Sequence, residues 1–141
     1  MTKYPEVKDP NLIGEYPALV MSGGGYVWDD VLEYRVWCYP ENGAPDTEDG
    51  NDYYYYFSTY EEAFEFSKNN VGCEPPIALI LQEEYIDEEE PGKFVHIKEP
   101  RLTEWQVEFL KRPKRTDKTI PDFLSPDDAP SYRLDILRGL V

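Results

Sequence analysis

Polar and apolar positions alternate most clearly over VLEYRVWCY, residues 31–39. There Leu32, Tyr34, Val36 and Cys38 share one face, and Glu33 and Arg35 point the other way. A period of two is that of a half-buried strand. YYYYF (53–57) reads the same way, with Tyr53, Tyr55 and Phe57 on one face and Tyr54 and Tyr56 on the other. PALVM (17–21) is a short apolar run that SGGG ends. IALIL (77–81), apolar throughout and preceded by two prolines, predicts a strand covered on both faces. EYIDE (84–88) and KFVHIK (93–98) flank EEPG and predict a hairpin. Thr103, Trp105, Val107 and Phe109 alternate with Glu104, Gln106 and Glu108, which favours one further strand.

The period changes once. Thr59-Tyr60-Glu61-Glu62 fits a capping box, Ala63, Phe64 and Ser67 continue at helical spacing, and Asn69, Asn70 and Gly72 end the run. The fold class follows as α+β: a mainly antiparallel sheet in the order β, β, β, α, β, β, β, β, with one principal covering helix over about 59–70. Residues 1–16, with Pro5 and Pro10, read as an irregular arm, 17–110 as the core, and 111–141 as a basic, then Pro-rich, irregular tail. Within that tail YRLDILRG predicts one or two helical turns ending at Gly139. No second core is expected.

Composition narrows the class. With 141 residues the chain is the size of one domain that folds without metal or disulfide staples. Its two cysteines, Cys38 and Cys73, form no CxxC pattern, no apolar run reaches membrane-spanning length, and the expectation is a cytoplasmic protein with reduced thiols. Charge is lopsided. Residues 1–110 carry 24 Asp and Glu against 7 Lys and Arg, whereas KRPKRTDK (111–118) carries five basic residues and one acid. Such a body repels nucleic acid and anionic membranes. The basic segment is expected to dock on the acidic body or to meet an anionic partner.

Chemical motifs are sparse. The triple glycine Gly23–Gly25 leads into Tyr26, Val27 and Trp28, which are β-formers, so it reads as a strand connection rather than a phosphate cradle at a helix start. Ahead of Gly50 a calcium loop would need acids at the places where Thr47 and Pro45 stand. His96 is the only histidine, expected on the more exposed side of its strand, and with Cys38 and Cys73 it makes no zinc pattern. A Cys38–His96 pair is the one nucleophilic arrangement these residues offer. The 12 Tyr and 3 Trp are the stronger signal, because large amphipathic rings anchor binding patches. Trp28, Asp29, Asp30, Tyr54 and Tyr56 are the partner-binding candidates. The leading expectation is a non-catalytic protein-binding module with an aromatic and acidic surface, whose partner is another protein, a basic one where the acidic face makes the contact. A nucleic-acid mimic is a third reading.

YPALVMSGGGYVWDDVLEYRVWC, STYEEAFEFS, LQEEYIDE and TIPDFL with YRLDILRG resemble a small bacterial family whose members are often labelled GCN5-related N-acetyltransferases. The resemblance covers nearly the whole chain. It implies acetyl-CoA as cofactor and acetyl transfer to an amine, with Gly23, Gly24 and Gly25 supplying N–H groups to that cofactor. In this chain no Arg or Gln is followed three residues on by Gly, so the [RQ]-x-x-G-x-[GA] motif of those enzymes does not occur and no catalytic residue carries over.

Overall fold

The computed structural model describes residues 4–17, 21–22, 26–124 and 130–138. Among the described residues seven strands and one principal helix follow the expected order: β1 (Met21–Ser22), β2 (Asp30–Cys38), β3 (Tyr53–Phe57), α1 (Tyr60–Asn69), β4 (Ile77–Gln82), β5 (Tyr85–Glu90), β6 (Lys93–Ile97) and β7 (Arg101–Gln106). Two short helices close the chain, α2 (Thr119–Phe123) and α3 (Pro130–Leu137). The predicted turns of YRLDILRG fall in α3, so the proline-rich tail carries more local order than its composition suggests.

Five strands form one sheet in the order β1-β7-β4-β2-β3, antiparallel except for the two-residue β1–β7 pair; β5 and β6 form a separate hairpin. β4 lies at the centre, with Ala78, Leu79 and Ile80 fully buried, as its unbroken apolar run predicts. β7 ends sooner than alternation suggests. Val107–Lys111 turns into a 3-10 helix that tucks Val107 and Leu110 inward, so Val107 and Phe109 are not strand residues.

The capping box sets the start of α1. The Thr59 hydroxyl accepts the Glu62 N–H at 3.2 Å and donates to Glu62 Oε1 at 3.0 Å. The far end stops at Asn70, whose side chain donates to the Phe66 carbonyl, and at Gly72, whose φ of +81° suits glycine. α1 buries Ala63 and sets Phe66 against Tyr55 and Phe57. On this face of the sheet Tyr34, Val36, Ala78, Ile80 and Trp105 make up the main core.

The opposite face differs from a solvated one. Glu33 and Arg35, expected to point outward, are fully buried beneath the N-terminal arm. Arg35 Nε donates to Glu33 Oε2 at 2.6 Å, one guanidinium nitrogen donates to Glu104 Oε2 at 2.8 Å and the other to the Pro17 carbonyl at 2.6 Å. The Gly14 N–H donates to Glu33 Oε1, tying the arm to the same network. Leu79 pairs with Glu33 on one side and Glu104 on the other, so an aliphatic residue sits at the centre of a polar layer. A buried charge has to be paired and hydrogen-bonded; here the pairing is what holds the arm down.

A second, smaller apolar cluster joins Val27, Ile86, Ile120, Phe123 and Leu137, where α2 and α3 pack beside the β5–β6 hairpin. The single core expected from the sequence is therefore supplemented by a satellite under the tail.

Candidate partner-binding site

The five predicted partner residues separate into two groups. Trp28 is buried, 3% exposed, which corrects its expected place on an aromatic and acidic binding surface. Its indole N–H donates to the Arg112 carbonyl at 3.0 Å, its own carbonyl accepts the Arg115 N–H at 3.0 Å, and Lys114 Nζ lies 5.6 Å from the ring centre. Asp29 takes the Arg115 guanidinium through Nε at 3.0 Å, and its other oxygen accepts the Glu83 N–H. Asp30 meets Lys114 at 3.2 Å. The basic segment thus packs on the acids next to Trp28 within the same chain. All three residues are engaged internally, and a partner would have to displace the tail to reach them.

Tyr54 and Tyr56 lie elsewhere, on β3. Tyr54 is half-buried, with its ring over the Arg35 guanidinium at 4.5 Å and near Trp37 at 4.9 Å. Tyr56 is 49% exposed and stands beside Gly14 of the arm. Tyr55, assigned by alternation to the core face, is 45% exposed, because α1 covers that face only as far as Phe66. Phe64 on α1 is a further exposed ring, stacked with Tyr60 at 5.9 Å. Alternation told the two faces of β3 apart, but the exposure of Tyr55 depends on β3 being the outermost strand, which no local pattern reveals.

The edge itself is backbone. Trp37 pairs with Tyr54 and Arg35 with Tyr56, and the Trp37 carbonyl is turned toward β4, accepting the Glu74 N–H at 2.9 Å. Tyr54 and Tyr56 are therefore at non-hydrogen-bonded positions opposite β2, and their N–H and C=O groups face outward from the sheet. Edge strands are usually blunted by Lys, Pro or a bulge. β3 carries no Lys or Pro, and its register with β2 is unbroken over five pairs.

The chain on either side of this edge strand is acidic. No Lys or Arg occurs between Arg35 and Lys68, whereas Asp46, Glu48, Asp49 and Asp52 precede β3 and Glu61, Glu62 and Glu65 follow it. At the β3–α1 junction a cleft of about 290 Å³ is lined by Tyr4, Pro5, Glu6 and Ser58–Glu61.

The remaining sequence candidates are placed as follows. Gly23, Gly24 and Gly25 lie outside the described residues. His96 Nε2 is 2.9 Å from Glu84 Oε1, and Glu84 Oε2 accepts from Arg115 at 3.1 Å, so the histidine belongs to the tail-docking network and Cys38 is paired with Cys73 instead. Among the described residues no three His, Cys, Asp or Glu side chains gather as a metal site, and no helix is long and apolar enough to cross a membrane. No protein family, curated protein or solved structure matches this chain. Function has to be argued from the surface itself.

Proposed function

We propose that this chain is a protein-binding module that takes an extended, basic segment of a partner protein along the outer edge of β3. The observation that carries the reading is the edge: a strand of unbroken register with outward-facing backbone groups at Tyr54 and Tyr56 and about half-exposed rings at Tyr55 and Tyr56. Strand addition draws its affinity from main-chain hydrogen bonds and its specificity from alternate side chains. Tyr55 and Tyr56 offer one ring above and one below an added strand. The acid-rich segments on either side of β3 favour Lys and Arg in the incoming segment. The cleft beside Glu6, Glu61, Tyr4 and Tyr60 suits a cation that can meet both carboxylates and ring faces.

A peptide array of extended sequences tests this. Lys- and Arg-containing peptides should bind, shifting the amide resonances of Tyr54–Phe57, and methylation of alternate peptide amides should abolish binding. Tyr55→Lys should weaken it by about tenfold or more, on the scale of one interfacial ring. Binding that survives both changes, or maps to the tail-docking surface, would sink the proposal. A thermal-shift titration with acetyl-CoA belongs beside it. A cofactor held at about 100 times its dissociation constant adds about 2.7 kcal/mol, and a saturable rise of that size would favour the acetyltransferase reading instead. β4 is paired with β2 and β7 along its length, with no V-shaped opening between these strands for a pantetheine arm.

A further inference from the structure

Cys38 ends β2, and Cys73 lies in the segment that joins α1 to β4; 35 positions apart in sequence, they meet as an isolated antiparallel bridge. The flanking backbone bonds fix the kind of pair. The Tyr39 N–H donates to the Gly72 carbonyl and the Glu74 N–H to the Trp37 carbonyl, both at 2.9 Å. Cys38 and Cys73 are therefore a non-hydrogen-bonded pair, the arrangement that brings Cα atoms to about 4.5 Å, inside the roughly 4.4–6.8 Å that a disulfide spans. Their Sγ atoms are 2.7 Å apart. The turn ahead of Cys73 is held as well, because Gly72 packs against the Ala44 backbone with no room for a Cβ. Cys38 is buried and Cys73 half-buried.

We propose that Cys38 and Cys73 form a dithiol redox site that closes to an intramolecular disulfide by exchange with a low-molecular-weight disulfide. The more accessible Cys73 starts the exchange. As a thiolate it attacks one sulfur of the small disulfide, forming a mixed disulfide and releasing one small thiol. Cys38 then loses its proton to solvent and attacks the Cys73 sulfur, and the second small thiol departs. Two thiols of the protein are oxidised, one small disulfide is reduced to two thiols, and the two protons balance. Burial, followed by the hydrogen bond to Cys73, pushes the Cys38 thiol up to about 12, which leaves the first attack to Cys73 and gives Cys38 the resolving role. Closure links the end of β2 covalently to the segment between α1 and β4, so that β3 and α1 lie within one closed loop. The site stands apart from the partner-binding reading and does not depend on it.

Oxidised glutathione added in excess to the reduced full chain, quenched by alkylation and followed by intact mass and peptide mapping, tests the site. The expected product has lost two hydrogens, retains no glutathione and yields a linked Cys38–Cys73 peptide. Cys38→Ser should stop at one glutathione on Cys73. Closure should run at least about tenfold faster in the folded protein than in urea, since the fold pre-orients the pair. A wild-type chain that keeps its glutathione adduct, keeps both thiols free, or closes no faster when folded would overturn the proposal.

Discussion

Arg35 Nε and Glu33 Oε2 lie 2.6 Å apart, with both side chains fully buried and only one residue between them on β2. Such neighbours point to the same face of a strand, and here that face is closed by the arm. Glu104 on β7 completes the arrangement and also accepts the Trp37 indole N–H at 3.1 Å. One cation therefore serves two carboxylates from different strands. Removing it as Arg35→Leu would leave Glu33 buried and uncompensated, with the partly buried Glu104 also losing its cation, at an expected cost of about 3–5 kcal/mol in urea unfolding. Replacing Arg35, Glu33 and Glu104 together by apolar residues should recover most of that loss. A triple variant as unstable as Arg35→Leu would show that the network supplies more than mutual neutralisation.

The tail depends on Arg115. Its side chain is only 10% exposed between Asp29 and Glu84. Arg115→Ala should cost about 1–3 kcal/mol, the range for charge-assisted hydrogen bonds. It should also open Trp28 to acrylamide quenching. Unchanged quenching would mean that the rest of the tail holds its place without this contact.

What the sequence made legible, and what it did not, divides along the reach of the interactions. Alternation located β2 and β3, an unbroken apolar run located β4, the Thr59–Glu62 box located α1, and Pro91-Gly92 located the hairpin, since each signal sits within a few residues. The burial of Glu33 and Arg35 was not legible, because alternating polar residues look alike whether water or an arm from another part of the chain covers them. Trp28 followed by two acids read as part of a binding surface, and its true neighbours, Arg112 to Arg115, lie more than eighty positions away. The Cys38–Cys73 pair was equally hidden, since CxxC spacing is a local signal and cross-strand pairing is not. Of the candidate site, Tyr56 was legible, whereas the exposure of Tyr55 awaited the strand order.

Gly14 ties the arm to the edge strand. Its φ is +83°, and a Cβ there would fall 2.5 Å from Cζ of Tyr56. Gly14→Ala should destabilise the chain by about 1 kcal/mol or more through backbone strain and the clash together, and should speed proteolysis within residues 4–17. Adding Tyr56→Ala should relieve the clash but not the strain. Full recovery in the double variant would show that the backbone at this position tolerates alanine.

Alkaline pH should destabilise the fold through its buried tyrosines. Tyr26 and Tyr39 are pushed up to about 12 from an ordinary 10.0, first by burial and then by Glu88 and Glu74 respectively. Tyr34 is raised further, by burial and then by Glu61. The folded chain keeps these protons where the unfolded chain has lost them. Their contribution is complete below about pH 10 and is lost as pH rises through about 12. Urea midpoints should therefore fall steadily across that window in the reduced protein. Tyr34→Phe should flatten the fall while costing about 1 kcal/mol at neutral pH through its lost bond to the Pro5 carbonyl. A midpoint independent of pH across the window would contradict this.

The distance along the chain between Trp28 and its cover has a consequence for synthesis. Arg112 and Arg115 leave the ribosome more than eighty residues after Trp28 and Asp29, a delay of several seconds at about 5–20 residues per second. During that interval Trp28 lacks its lid, and Arg35 lacks the Glu104 half of its pairing. The nascent chain cannot complete its sheet from the front end, and its final architecture is set only after β7 and the basic segment have emerged. A stretch that ordinary inspection would treat as an appendage, the basic tail, thus decides when this protein becomes a folded one.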